Sequence, residues 1–534
     1  MMNNQIAFVL NAHLPFVRHI EYPRFLEEDW LFEAINESYL PLLRMLNGLM
    51  NEGVKFQLTL SLSPTLCSML TDKVLQERFL EYLKLHIELG EKEYDRLKDS
   101  GDPKNLQTLE LYRANLAQNL DDFENLYKRN ILEGFKQLSE LGYLELITTS
   151  ATHAYLPAYQ SLPVGVNAQI ETGVMSHAYN FAAQPAGFWL PECGYYPGLE
   201  KYLKKASINW MHLSAQSLLL ANPMVRRGNF APIRCPNGVY GFARDYALTS
   251  LVWSNINGYP CDPDYREFYR DIGYDLPMDY IGPYIHEPEI RVFTGFKYYA
   301  ITGRTDRKRL YDPAKAQRKA LLHARNFVFN VRQKGLRLEH IIDTDPVYTV
   351  SFDCELFGHW WYEGVTWLEN VIRECSMSDD VTLVTPSWYM ENSGVVPETM
   401  EPAFSSWGEG GFSNVWVDNG SNAWLYRHTY QALKNMEELS VRFPNQTSLK
   451  QRFLNQAARE TLLMMASDWP YMIHNKAAAS FAEQTLTDHI KNVNLVYNCM
   501  CKNAVNTEWL VKAEKRNNIF KYIDYNIFNP GHLE

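Results

Sequence analysis

The sequence predicts a parallel α/β fold on three observations. Seven short apolar runs end abruptly in polar or proline-containing turns, amphipathic helical stretches separate them, and several runs finish in ionisable or hydrogen-bonding side chains. The runs are IAFVLNAH (6–13), KFQLTLSL (55–62), LELITTSATH (144–153), GFWLPEC (187–193), INWMHLSA (208–215), YTVSFDCEL (348–356) and VTLVTPSWY (381–389). Of the stretches between them, 30–53 keeps a helical apolar period, and 313–335 opens on proline and closes on glycine as helices favour. In a barrel of parallel strands, functional groups gather where loops leave the C-terminal strand ends. Here those ends carry His13, His153, Glu192, Asp353 and Trp388.

Three regions break the alternation. Residues 73–140 are helical and charged, interrupted by DSGDPKN (99–105), and predict a helical hairpin inserted after the second strand. Residues 216–302 are rich in Pro, Gly and Tyr and predict a long excursion over the active face. From about residue 420 the helical period resumes, so the expected division is a catalytic region over 1–419 and an all-helical C-terminal domain over 420–534.

Composition narrows the function. The net charge of −11 arises from 51 basic and 62 acidic residues with no basic run, which argues against a nucleic-acid partner. Aromatic residues make up 13% of the chain, including 33 Tyr and 13 Trp, enough to offer faces on which sugar rings stack. The eight cysteines lack CxxC pairs and are expected to be reduced. The N-terminus has no charged n-region, and no apolar stretch approaches the ~20 residues that span a bilayer, so no membrane association and a cytoplasmic location are expected. The histidines show no HExxH or paired spacing that requires a metal, and WGEGGF lacks the strand-turn-helix context of a dinucleotide fingerprint, so no cofactor is expected.

Two acids stand out. Glu192 interrupts the apolar run of GFWLPECGYYPG (187–198), where an unpaired carboxylate would be costly to bury. Asp353 and Glu355 alternate with apolar residues in YTVSFDCELFGHWWYEG (348–364), which predicts one shared face of a strand, with His359, Trp360 and Trp361 just beyond. A structural ion pair would account for either acid alone. Two such acids at two strand ends, flanked by aromatics and histidines, point instead to cleavage of glycosidic bonds, in which one carboxylate attacks or supports the anomeric carbon and a protonated partner donates to the departing oxygen. Retention of configuration calls for a carboxyl separation of ~5 to 5.5 Å, inversion for ~6.5 to 9.5 Å.

FVLNAHLPFVRH, ATHAYLP (151–157), WLPECGYYPG, SFDCELFGHWWYEG and SSWGEGG (405–411) together resemble the five motif regions of glycoside hydrolase family 57, in that family's order. ASDWPYMI (466–473) is similar to the subgroup of 1,4-α-glucan branching enzymes. The resemblance implies an incomplete TIM-like (β/α)7 barrel with a helical C-terminal domain and a retaining mechanism on α-1,4-glucan such as amylose or a glycogen-like polymer. It implies Glu192 as nucleophile, Asp353 as general acid/base, and His13, His153, Trp360, Trp407 and Trp416 as substrate-binding residues, the last two by sugar stacking. Glu355 and His359 are candidates to orient Asp353 or contact hydroxyls, and Tyr240 and Phe230 are candidates for an acceptor-side loop. Trp388 and Trp469 are expected in the core. Branching enzymes of the family commonly read His-Ala-His where this chain reads Asn11-Ala12-His13. The implied activity is formation of α-1,6 branches; the alternatives are an α-amylase or 4-α-glucanotransferase using the same pair, or a non-catalytic glucan-binding protein. Oligomeric state is not specified by the sequence.

Overall fold

The computed structural model describes residues 2–254, 256–286, 290–417 and 419–533. Among them ten strands form one sheet: β1 (Asn4–Ala12), β2 (Leu58–Leu62), β3 (Leu144–Thr149), β4 (Gly187–Trp189), β5 (Trp210–Leu213), β6 (Ile233–Arg234), β7 (Tyr240–Ala243), β8 (Val347–Asp353), β9 (Val381–Leu383) and β10 (Glu398–Thr399). Seven run parallel in the order β7-β5-β4-β3-β2-β1-β8. The two ends of this row meet, because Arg244 just after β7 bridges in parallel to Thr349 of β8 and the Asp245 N–H donates to the Thr349 carbonyl at 2.7 Å. The sheet therefore curls into a (β/α)7 barrel.

Side-chain alternation decides what faces the barrel interior. Ala7 and Val9 of β1, Ile147 of β3, Trp189 of β4, Trp210 of β5, Phe242 of β7 and Val347 of β8 form one buried cluster, the inside of the barrel. Their neighbours Ile6, Phe8, Leu10, Phe188, Met211, Tyr348, Val350 and Phe352 belong to the larger core between sheet and helices. With both faces covered, all nine residues of β1 are buried, which is why the run is nearly continuous in apolar character. Counting two at a time up each strand puts Asn11 after Val9, Arg244 after Phe242 and Asp353 after Val347 on the inner side at the C-terminal rim. Tyr240 has the same parity as Phe242 but lies at the start of β7, at the opposite end of the barrel.

The strand assignment differs from the sequence expectation at one place. Stretch 381–389 contributes only the three residues of β9, which pair with Asn4–Ile6 low on β1, and Trp388 falls in the following helix Pro386–Asn392, 37% exposed rather than in the core or at the rim. The seventh barrel strand is β7, inside the region read as a loop excursion. Four residues of a doubly buried strand, YGFA, carry no alternation and sit in Gly/Pro-rich surroundings, so no periodic signal marks them.

Helices Lys73–Ser100 and Pro103–Asp121 pack together as a hairpin, turning at Gly101 (φ 67°), with the Asp102 carboxylate capping the second helix at the Asn105 N–H. After residue 420 come helices Ala423–Arg442, Ser448–Met464, Asp468–Asn475, Ala479–Cys501 and Thr507–Arg516. Glu460, fully buried among them, accepts from His489 Nδ1 at 2.7 Å, Asn492 at 3.0 Å and Asn517 at 2.9 Å, a satisfied polar node that fixes their packing. The turn before Asp468–Asn475 docks on the barrel rim, where the Ser467 N–H donates to the His153 carbonyl at 3.2 Å and Thr152 Oγ1 donates to the Leu462 carbonyl at 2.6 Å. Among the described residues no helix is long and apolar enough to cross a membrane.

Helix Pro163–Phe181 approaches β3 through Gly173, where a Cβ would stand 2.1 Å from the Thr149 carbonyl oxygen. Gly173→Ala is expected to destabilise the fold by roughly 1–3 kcal/mol. Gly48→Ala, in helix Leu40–Asn51 with open space around the new methyl, is expected to stabilise by about 0.5–1 kcal/mol. Thermal or denaturant unfolding of the two variants should move in opposite directions.

Candidate active site

A cavity of about 400 Å³ opens at the C-terminal rim of the barrel, with Asn11, His13, His153, Glu192, Arg244, Asp353, Glu355, Trp407 and Asp468 among its lining. Glu192 enters it from a strained turn. After β4 the chain takes left-handed backbone angles at Glu192 (φ 59°) and again at Cys193 (φ 51°), a conformation non-glycine residues rarely adopt unless their surroundings enforce it. The enforcement is visible: Trp407 N–H donates to the Glu192 carbonyl at 2.9 Å, Trp407 Nε1–H to Oε2 at 2.7 Å, and Ser467 Oγ–H to Oε1 at 2.9 Å. Burial raises the Glu192 pKa to about 7, assisted by the charges of Asp353 and Asp468 and opposed by the Trp407 and Ser467 hydrogen bonds.

Ser467 also meets His153, whose Nδ1 lies 3.1 Å from Oγ, while His153 Nε2 lies 3.4 Å from the Asn11 side-chain nitrogen. If Asn11 donates to Nε2, the ring proton sits on Nδ1 and the donors run His153 to Ser467 to Glu192, an assignment that leaves each group one role. Burial, and then the charge of His13, hold His153 well below its ordinary pKa, so the imidazole is neutral. His13 stacks on it with ring centroids 4.0 Å apart and planes 11° apart. Its Nδ1 contacts Ser63 Oγ at 3.0 Å and its Nε2 the Asp468 carboxylate at 3.2 Å. Burial alone would depress His13, but the charge and hydrogen bond of Asp468, with Glu355 and Glu192 behind it, raise its pKa. The site therefore stacks an imidazole whose protonated form is favoured, His13, on a neutral one, His153.

Asp353 ends β8 opposite Asn11 of β1. Burial raises its pKa to about 6, against the opposing effects of the Arg244 and His13 charges and a hydrogen bond from Asn11. Glu355 does not continue the strand as the alternation predicted. The chain turns at Asp353 into a short 3₁₀ segment, Cys354–Leu356. Glu355 still reaches the cavity, accepting from the His13 N–H at 3.2 Å and from the Tyr39 hydroxyl, and burial raises its pKa to about 8.

Aromatic rings form the walls. Trp407 lies edge-on to Trp189 at 5.4 Å, faces Trp253 at 6.5 Å and 22°, and has the Arg244 guanidinium 5.2 Å from its centroid. Trp416 is buried and stacks on Tyr155 at 4.9 Å, so it meets the cavity with part of its ring. Trp360 is exposed at the mouth, while its neighbour Trp361 and the distant Trp469 are buried in the core.

The structure thus brings His13, His153, Glu192, Asp353, Glu355, Trp360, Trp407 and Trp416 to one cavity and leaves three expected residues outside it. Tyr240 packs at the far end of the barrel, against the interior cluster, because strand parity places it two steps below Phe242. Phe230 lies against Tyr348, also away from the rim. His359 turns from the cavity to Glu37, Nδ1 to Oε2 2.6 Å, and supports Trp360 edge-on at 4.9 Å. Sequence reasoning passed over Asn11, Arg244, Trp253, Ser467, Asp468 and Tyr471 as site residues. Arg244 and Trp253 follow the strand hidden in the excursion, whereas Ser467, Asp468 and Tyr471 lie within the quoted ASDWPYMI, whose acid is legible as a signal. Among the described residues no group of three or more His, Cys, Asp and Glu side chains is disposed to hold a metal ion.

Known proteins share this architecture. The family described as glycosyl hydrolase family 57 matches residues 7–403, and the region described as 1,4-alpha-glucan branching enzyme, C-terminal, matches residues 428–528. A 1,4-alpha-glucan branching enzyme of Thermococcus kodakarensis is 30% identical over 571 aligned positions, covering 100% of this chain and 80% of that protein. Among solved structures, the alpha-amylase AmyC of Thermotoga maritima superposes with a TM-score of 0.92 at 38% identity, covering 99% of each chain. A family 57 branching enzyme of Pyrococcus horikoshii does so with a TM-score of 0.87 at 28% identity, covering 99% of this chain and 97% of that one. The family match runs from β1 past β8, through every strand whose rim supplies the cavity, and the chain belongs to glycoside hydrolase family 57.

Proposed function

We propose that this protein is a retaining 1,4-α-glucan branching enzyme. The observation that carries the reading is the pair of half-buried acids, Glu192 and Asp353, lining one aromatic-walled cavity in a chain whose C-terminal region also matches the branching-enzyme description. Asp353 protonates the oxygen of an α-1,4 linkage as Glu192 attacks the anomeric carbon, which breaks the C–O bond and leaves the severed chain esterified to Glu192. Asp353, now a carboxylate, takes the proton from the 6-hydroxyl of a second chain as that oxygen displaces Glu192, and the new bond is α-1,6.

The electrostatics suit a reaction that begins with one anion and one acid. Two carboxyls in a shared, poorly solvated site resist being ionised together, so near neutrality they hold one proton between them. Burial lifts Glu192 to about 7 and Asp353 to about 6, which favours the proton on Glu192. A glycosidic oxygen set against Asp353 supplies the acceptor that a protonated Asp353 needs, while Trp407 and Ser467 remain as donors to a charged Glu192. Substrate thereby moves the proton to the side where it is used.

Hydrolysis is the competing outcome of the same first step, and the alpha-amylase AmyC, at 38% identity, is the specific reason to test for it. Amylose incubated with the protein and then treated with an α-1,6-specific debranching enzyme should release short linear chains; products that are all linear before debranching would assign the protein to hydrolysis or 4-α-transfer. Glu192→Gln and Asp353→Asn are each expected to lower turnover roughly 10³-fold or more while glucan still binds. Proton NMR of the first products should show retained α-configuration. The folded pKa of Glu192 lies above its ordinary value, so the native state binds more protons than the unfolded one between pH 4.5 and about 7, and stability falls as pH rises through that window. Removing this group should relieve up to roughly 3 kcal/mol. The melting temperature of Glu192→Gln is therefore expected to exceed that of the parent by more at pH 8 than at pH 5.

A further inference from the structure

The excursion over the active face carries a set of aromatic rings that the chemistry above does not use. Trp360, at the cavity mouth and 57% exposed, stacks on Phe268 with centroids 5.0 Å apart and planes at 28°. Phe268 touches Phe293 at 5.2 Å and Tyr269 at 5.1 Å, and Phe293 touches Tyr274 at 5.1 Å. Tyr269 is 74% and Tyr274 46% exposed. Contiguous rings left in water at this density mark a binding surface rather than a core.

The rings are held from below. Lys297 is buried, its Nζ lies 4.1 Å from the Phe268 centroid and 4.2 Å from that of Phe293, and it donates to the Phe268 carbonyl at 2.6 Å. Asp271 ties the two segments that bear the rings, accepting from the Gly273 N–H at 2.8 Å, the Thr294 N–H at 3.0 Å, Thr294 Oγ1 at 2.7 Å and the Gly295 N–H at 2.9 Å. A platform fixed in this way has little conformational entropy left to lose when a ligand arrives.

We infer that Trp360, Phe268, Tyr269, Phe293 and Tyr274 form an extended docking track for an α-1,4-glucan chain, continuous with the cavity and outside the reacting subsites. The inference rests on the glucan reading above and adds to it where a long chain lies. Continuity through Trp360 supplies the occupant, since Trp360 lines the cavity that holds Glu192 and Asp353 and also stacks on Phe268 at the start of the row. Successive rings are inclined to one another, by 58° between Phe268 and Phe293 and 57° between Phe293 and Tyr274. Such a turning surface follows a chain that coils, as α-1,4-linked glucose does, better than the flat ribbon of a β-1,4-linked chain.

The test compares the full-length protein with Tyr269→Ala/Tyr274→Ala, and with Tyr274→Trp, which keeps a stacking face. Both tyrosines are exposed, and unchanged melting curves will verify folding. Affinity for maltotetraose and for long amylose is measured by calorimetry or retardation in amylose gels, with cello-oligosaccharide as the β-linked comparison. The double variant is expected to bind long amylose about tenfold more weakly and to lose the gain in affinity that chain length gives the parent, while Tyr274→Trp retains it. Equal length dependence in parent and double variant, or equal binding of the β-linked chain, would overturn the track. Branching is assayed alongside: a parent that binds amylose with the expected length dependence yet forms no α-1,6 bonds overturns the proposed function alone, and a parent that branches amylose with no contribution from the tyrosines overturns the track alone.

Discussion

The carboxylate of Glu192 is tied to the rest of the molecule by two hydrogen bonds from far along the chain, one from the Trp407 indole and one from the Ser467 hydroxyl. The rest of the site depends on this junction. Glu192 sits in a left-handed turn that its own backbone would not choose, and the Trp407 backbone and side chain both brace it. Ser467 simultaneously meets His153, His153 stacks on His13, and His13 reaches Asp468, so the loop before the helix Asp468–Asn475 acts as a lid that closes the polar circuit of the barrel rim. The helical C-terminal region is in this sense part of the rim cavity and not an appendage to it.

The second constraint is dielectric. Three acids, Glu192, Asp353 and Glu355, line one cavity of about 400 Å³ with a single half-buried guanidinium, Arg244, and one raised histidine among them. Burial works against ionisation of every acid in the group, and that cost is what keeps a proton available near neutral pH. The same cost is carried by the fold, which would be more stable with neutral groups there. Strain at Glu192 and unfavourable burial of charge are located at the rim cavity, while satisfied polar nodes such as Glu460 with His489, Asn492 and Asn517 lie away from it and stabilise the packing.

Much of the barrel was readable because a strand buried on both faces yields a run of apolar residues, and β1, β3 and β8 are long enough to show it. The strand that was misplaced, β7, has four residues. Its loss hid Arg244, and it made Trp388 look like a rim residue when it lies on a short helix. Tyr240 was expected near an acceptor because it sits in a loop-rich region. Once β7 exists, its parity and its place at the strand start send it to the other end of the barrel. His359 was expected near sugar for its neighbourhood in sequence, yet the 3₁₀ turn after Asp353 swings it to Glu37.

The sequence by itself determined that two acids, Glu192 and Asp353, stand at the C-terminal ends of strands, because a carboxyl inside an apolar run stands out and periodicity is a local property of the chain. It also determined the parallel α/β class and the helical character of the regions around 73–140 and beyond 420. Only the tertiary structure decided which side chains from distant segments complete the site: Ser467 and Asp468 descending on the rim, Arg244 beside Asp353, Trp253 facing Trp407. Those choices follow from how the sheet closes and where the C-terminal helices dock, and such contacts between residues hundreds of positions apart leave no period in a sequence to read.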